Sequence, residues 1–195
     1  MQKTNNRTAQ VKKLVLMALL TALVAILAYL GGFIKIASLA SINLTLVPVV
    51  VGAALCGPLA GAWLGGVAAA IFFLTADSAF WLGLSIPGTV ITVFIKGIMA
   101  GLCAGLVYKL LKNKNKYLAV IISAIVAPVV NTGIFIGGCF VFFIDAVQEM
   151  ATAQGKSLAA FILIGFVGLN FVFELLANII LSPSILRIIN IRNKK

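Results

Sequence analysis

The sequence predicts an all-α integral membrane protein, a bundle of six transmembrane helices with both termini in the cytoplasm. Three observations lead there. The chain has 195 residues, 63% hydrophobic and only 10% charged, whereas a soluble domain carries roughly 25% charged residues to face water. Its apolar residues fall in runs of about the length that crosses ~30 Å of hydrocarbon. The basic residues gather at the ends of those runs. Residues 14–189 form one membrane domain between a basic N-terminal segment, 1–13, and a basic tail, 190–195. That leaves no room for a soluble catalytic domain.

The spans follow in order. The first apolar run, Leu14 to Ile34, follows Lys12 and Lys13 and is too long for the apolar region of a signal peptide. The next, Ile36 to Ala76, has no charge and is too long for one span. It breaks at Cys56-Gly57-Pro58, because proline disfavours helix in the residue before it. A short second span near Leu44–Leu55 and a third near Leu59–Thr75 result. Asp77 to Pro87 reads as a loop carrying Phe80 and Trp81, aromatic residues suited to the membrane interface. A fourth span covers about Gly88 to Leu111 and a fifth about Tyr117 to Ile144. Asp145 to Lys156 reads as a polar loop. The sixth span runs from about Leu158 to Leu186, tilted or bent before Pro183.

Charge sets the orientation. Three clusters of four bases border the spans: Lys3, Arg7, Lys12 and Lys13; Lys109, Lys112, Lys114 and Lys116; Arg187, Arg192, Lys194 and Lys195. With the N-terminus inside, all three are cytoplasmic and no acid lies among them. The outer loops then hold Lys35 and Lys156 against Asp77, Asp145 and Glu149. The positive-inside rule prefers this arrangement to its inverse. The net charge of +11 thus belongs to membrane topology. Nucleic-acid binding would need a basic face with stacking aromatics, and none is seen.

Two charges remain inside spans, Lys96 and Glu174. Lys96 sits in VITVFIKGIMAG, residues 90–101, roughly 12 Å from the outer end of the fourth span at about 1.5 Å per residue. A charge at the bilayer centre costs about 2.5–3.5 kcal/mol, so such residues face the bundle interior or a wet cavity. Two readings stand. Lys96 and Glu174 form an ion pair that only fixes helix packing, or Lys96 meets an anionic group of a solute in a pocket open to the outside. Asn131 lies near the middle of the fifth span, and Asn170 and Asn178 flank Glu174 at i−4 and i+4, on one helical face. Amides of this kind read hydroxyl and amide groups of a small solute or hydrogen-bond between helices. The interhelical bond is the reading for Asn178, which lies deeper.

Small residues four apart recur at Ala18 and Ala22, at Gly57, Gly61 and Gly65, and at Gly97, Gly101 and Gly105. Such spacing lets helix backbones approach closely in lipid. The glycine repeats suit packing within the chain, whereas Ala18 and Ala22, near the cytoplasmic end of the first span, are the candidate partner surface. Cys56, Cys103 and Cys139 lack CxxC spacing and the chain has no His. Neither a metal site nor a cofactor is therefore expected. General acid–base and nucleophilic chemistry have almost no residues to use, so an enzyme is excluded. No GxxxxGK[ST] motif occurs, so ATP cannot be the chain's own energy source.

Leu44–Phe72 (LTLVPVVVGAALCGPLAGAWLGGVAAAIF), Pro87–Leu111 (PGTVITVFIKGIMAGLCAGLVYKLL) and Val126–Phe135 (VAPVVNTGIF) resemble the substrate-binding S components of energy-coupling factor transporters, in the branch that includes riboflavin and pantothenate binders. The resemblance covers nearly the whole chain. It implies a six-helix, multi-pass plasma-membrane protein that binds a water-soluble vitamin in an outer pocket built from outer loops and the last three spans. It further implies docking on a transmembrane coupling protein and two cytoplasmic ATPases. Ala18 and Ala22 match the family's AxxxA pattern for that docking, and toppling within the membrane would carry the solute inward.

The solute contacts expected from the residues themselves are Lys96, Asn131, Asn170 and Glu174. Trp81, with Phe80, Phe135 and Phe142, could line the pocket of an aromatic ligand. Lys96 as counter-charge favours pantothenate narrowly over neutral riboflavin. The competing expectation is a helical membrane interaction protein with no solute pocket, in which Lys96 and Glu174 are internal glue.

Overall fold

The computed structural model describes residues 2–31, 35–37, 40–41 and 44–193. Its first helix, α1, spans Gln2–Gly31, so the basic N-terminal segment continues the first span as helix. Beyond α1, the backbone of β1 (Lys35–Ala37) pairs antiparallel with β2 (Ala40–Ser41). Helix α2 (Leu46–Cys56) ends where expected. Gly57 takes φ +102, a left-handed conformation that glycine adopts without a Cβ penalty. Pro58 then opens α3 (Pro58–Phe72) at a position where its missing N–H costs nothing.

The expected loop at Asp77–Pro87 is instead a helix, α4 (Ala76–Leu84), bent 85° from α3. Ser78 donates to Thr75 O at 2.7 Å at its start. Helix α5 (Ile86–Leu111) begins at Ser85, whose hydroxyl accepts from Gly88 N at 3.2 Å. Helix α6 (Lys116–Phe142) is capped by Asn115, which accepts from the Tyr117 and Leu118 amides. The second expected loop also contains a helix, α7 (Ile144–Ala153). Phe143, Val147 and Ala151 recur every four residues and are buried, while Asp145, Gln148 and Glu149 stay out. That is one apolar stripe on a polar helix.

The last span starts as α8 (Leu158–Ala160), widens into a π-helical segment at Phe161–Gly168 and continues as α9 (Leu169–Asn193). Its irregularity lies at Phe161–Gly168, ahead of the place the sequence suggested. Pro183 sits inside α9. Among the described residues three helices are long and apolar enough to cross a membrane, Gln10–Gly31 of α1, α5 and α6, with a fourth if α3 and α4 count as one bent span. Leu14, Ile95, Leu110, Val141 and Ile180 are exposed on the outside of the bundle, where lipid is their solvent.

The core gathers one face from each long element. Leu20 and Val24 of α1, Val49 and Val50 of α2, Leu64 of α3, Tyr108 of α5, Val120 of α6 and Ile185 of α9 form one buried cluster. A second cluster closes the other end, where Cys139, Phe143, Val147, Phe161 and Ile162 receive Trp81 and Phe135. Helix α5 lies between α3 and α6. Its glycine repeat meets that of α3 face to face: a methyl on Gly97 would stand 2.5 Å from Gly65 O, and one on Gly105 would stand 2.6 Å from Pro58 Cα. Gly61 and Gly101 oppose each other in the same way. Both repeats are therefore spent inside the chain, as the small-residue spacing predicts.

Candidate functional site

The bend between α3 and α4 brings aromatic rings over the Ile86 end of α5. Trp81 is half-buried there, rather than lying free in an interfacial loop. Its ring meets Phe80, Phe135 and Phe143 edge-on, each at 5.3 Å between centroids, a favourable arrangement of ring quadrupoles. The backbone of α4 is tied down nearby. Thr89 Oγ1 lies 2.7 Å from both Trp81 O and Ser85 O, to which it donates.

Lys96 lies ten residues into α5, one face inward. It is half-buried, and its Nζ stands 5.0 Å from the Phe135 ring centroid and 5.9 Å from that of Phe72. An ammonium within about 6 Å of a ring face gains roughly 0.5–2 kcal/mol. Phe72 belongs to α3 and Phe135 to α6, so the cation joins three helices. The Glu174 carboxylate, on α9, is the acidic group whose charge acts on this ammonium. Glu174 is itself buried, 4% exposed. Cation–π contact and a carboxylate together offset the cost of ~2.5–3.5 kcal/mol for a charge at this depth.

Asn131 is also buried, 6% exposed, on α6. It lies one turn before Phe135 and two turns before Gly138 and Cys139, so all share a face. Trp81 and Lys96 thus both meet Phe135, and Glu174 acts on Lys96, while Asn131 lies one turn from Phe135 on the same helix face. The side chain of Asn170 lies outside the described residues. Asn178 does not make the interhelical bond expected of it. Its Nδ2 donates to Glu174 O of its own helix at 2.8 Å, because the i−4 carbonyl is the nearest acceptor for a buried amide.

Sequence reasoning passed over three participants. Phe72, which lies within the third span and has no role in the sequence reading, supplies a ring face to Lys96. Phe143 was hidden at the close of the fifth span, though its spacing to Val147 and Ala151 marks an inward stripe. Thr92, one turn from Lys96, is 4% exposed with a hydroxyl that has no hydrogen-bond partner among the described residues. Its i, i+4 spacing to Lys96 was the available signal.

Ala18 and Ala22 stand away from this site. Both are exposed on α1, while Leu20 and Val24 turn the other face into the core. The exposed stripe continues through Leu14, Leu19 and Ile26. Beside it, Trp63 Nε1 of α3 donates to Thr21 Oγ1 at 3.3 Å.

No curated protein and no solved structure matches the chain. Residues 12–186, from the basic end of α1 into the last third of α9, match the family model described as ECF transporter, substrate-specific component. An all-helical membrane bundle with a charged, aromatic-lined centre, and no ATP-binding motif of its own, belongs to the substrate-specific component family of energy-coupling factor transporters.

Proposed function

We propose that this chain captures a small, water-soluble, anionic vitamin from outside the cell and delivers it inward with the coupling protein and two ATPases of its transporter. In this reading the protein is multi-pass in the plasma membrane, with the α4 and α7 end outermost and both termini cytoplasmic. The observation that carries it is the Lys96 ammonium, held by Phe72 and Phe135 with Glu174 acting on it at the meeting of α3, α5, α6 and α9. A cation kept at that depth needs an anionic counterpart or a structural reason, and the carboxylate of pantothenate supplies the first. Asn131 and Asn170 would read the remaining polar groups of the solute, and Trp81 would cover it.

Riboflavin is the second candidate. It is favoured by the Trp81, Phe135 and Phe143 rings, which suit a flat aromatic solute. The rival reading, a helical interaction protein without a pocket, keeps Lys96 and Glu174 as internal glue but has only the Ala18–Ala22 face to offer a partner, since the glycine repeats are consumed between α3 and α5.

Mass spectrometry of the solute released from purified protein tests the proposal directly. Lys96→Met should then weaken binding of an anionic vitamin by about 2 kcal/mol, the loss of a charge-assisted contact. Unchanged calorimetric affinity would reduce the Lys96–Glu174 pair to packing.

A further inference from the structure

Helical hydroxyls ordinarily donate to the carbonyl one turn back, and four in the described part of this chain do so. Thr89 bonds Ser85 O at 2.7 Å, Ser123 bonds Ala119 O at 2.6 Å, and Thr152 and Ser182 bond Gln148 O and Asn178 O at 2.8 Å. Thr92 departs from that pattern. Its Oγ1 is buried and has no hydrogen-bond partner among the described residues. The hydroxyl faces α6 at Gly138, where a methyl would collide with both Thr92 Oγ1 and Cγ2. It lies on the face of α5 that carries Lys96, about 6 Å away along the axis. Phe135, whose ring receives the ammonium, lies one turn before Gly138 on the opposing helix. Asn178 Oδ1 also lacks a partner, but its amide nitrogen is already anchored to Glu174 O. The Thr92 hydroxyl has neither bond nor anchor.

A buried hydroxyl without a partner is a standing cost, and here the empty valence points into the seam beside the charged centre. Resting on the reading above, we infer that Thr92 is a solute-binding residue that works together with Lys96. The solute is then an organic anion that also carries a hydroxyl, carbonyl or amide able to meet Thr92. Because Oγ1 is sealed from solvent, that group reaches it as α5 and α6 part at the Thr92–Gly138 contact. Pantothenate, with a carboxylate, an amide and hydroxyls, has this pattern. Riboflavin has no anionic group.

The test is calorimetry of pantothenate and of riboflavin on the full chain in detergent, with thermal melts of the solute-free protein. Wild type, Thr92→Val, Thr92→Ser and Lys96→Met are compared, with Thr92→Ala as the substitute should Thr92→Val not yield folded protein. Thr92→Val should raise the melting temperature of the solute-free protein, by removing the unmet hydroxyl, and weaken pantothenate binding about tenfold. Thr92→Ser should keep most of the affinity. If Thr92→Val melts higher but binds pantothenate as wild type does, while Lys96→Met loses binding, the inference falls and the proposed function stands. If Thr92→Val neither melts higher nor loses pantothenate affinity, the hydroxyl is already satisfied, as by a buried water, and the inference falls as well. Binding of riboflavin alone also overturns the inference. A wild-type protein that binds neither vitamin overturns the inference and the vitamin assignment together.

Discussion

Lys96 and Glu174 decide between a receptor and a strut, and single residues can separate the two. Removing one partner of a buried ion pair leaves the other uncompensated and costs about 3–5 kcal/mol. Glu174→Gln should therefore lower the thermal midpoint clearly. The double substitution Lys96→Met with Glu174→Gln should recover most of that stability, since no lone charge remains. Comparing pantothenate affinity across the same cycle separates the roles. If the pair is only glue, stability recovers and affinity never changes. If it is a receptor, affinity stays lost in the double variant. At this scale the charges were legible from sequence, because a lone lysine in an apolar run has no bland place to sit. Their aromatic company was not. Phe72 and Phe135 lie 24 and 39 positions from Lys96 in the chain, and nothing local announces that their rings meet one ammonium.

Among the elements, α3 and α5 make the sharpest prediction. A Cβ on Gly65 would run into the Gly97 carbonyl, which is backbone and cannot swing aside. On Gly66, next in sequence, it would meet only the Ile98 side chain at 3.6 Å, an ordinary contact. Gly65→Ala should cost about 1–3 kcal/mol through overpacking, whereas Gly66→Ala should be neutral or gain up to about 1 kcal/mol of helix propensity. Thermal melts in one detergent would check both, and equal effects would refute the close crossing. The repeats were readable as a packing code, and so was the Cys56-Gly57-Pro58 break. Helices α4 and α7 were misread as loops because polar residues drew attention from spacing. Phe143, Val147 and Ala151 had already spelled out a helical stripe.

For the whole molecule, the all-helical membrane class followed from composition and from where the lysines and arginines gather; against the six spans expected, three helices among the described residues, or four with the bent α3–α4 pair, are long and apolar enough to cross. What joins the chain to its motor was not readable from composition. The spacing of Ala18 and Ala22 marked a candidate partner surface, the family resemblance alone said what docks there, and the structure leaves both exposed on α1. Ala18→Trp, bulky on that face and far from Lys96, should leave vitamin binding intact and abolish uptake and copurification with the ATPases. Normal uptake in vesicles would remove α1 from the docking surface.

The chain has only two tryptophans, and they sit at opposite concerns of the molecule. Trp81 packs against Phe135, whose ring holds the Lys96 ammonium, while Trp63 is exposed beside α1. With Trp63→Phe, all indole emission would come from the ring above the charged centre. Titration with a vitamin would then read occupancy as quenching or a spectral shift. With Trp81→Phe, the remaining fluorophore would respond to the arrival of the coupling protein instead. One polypeptide thus carries separable optical reporters of loading and of assembly, without any added label.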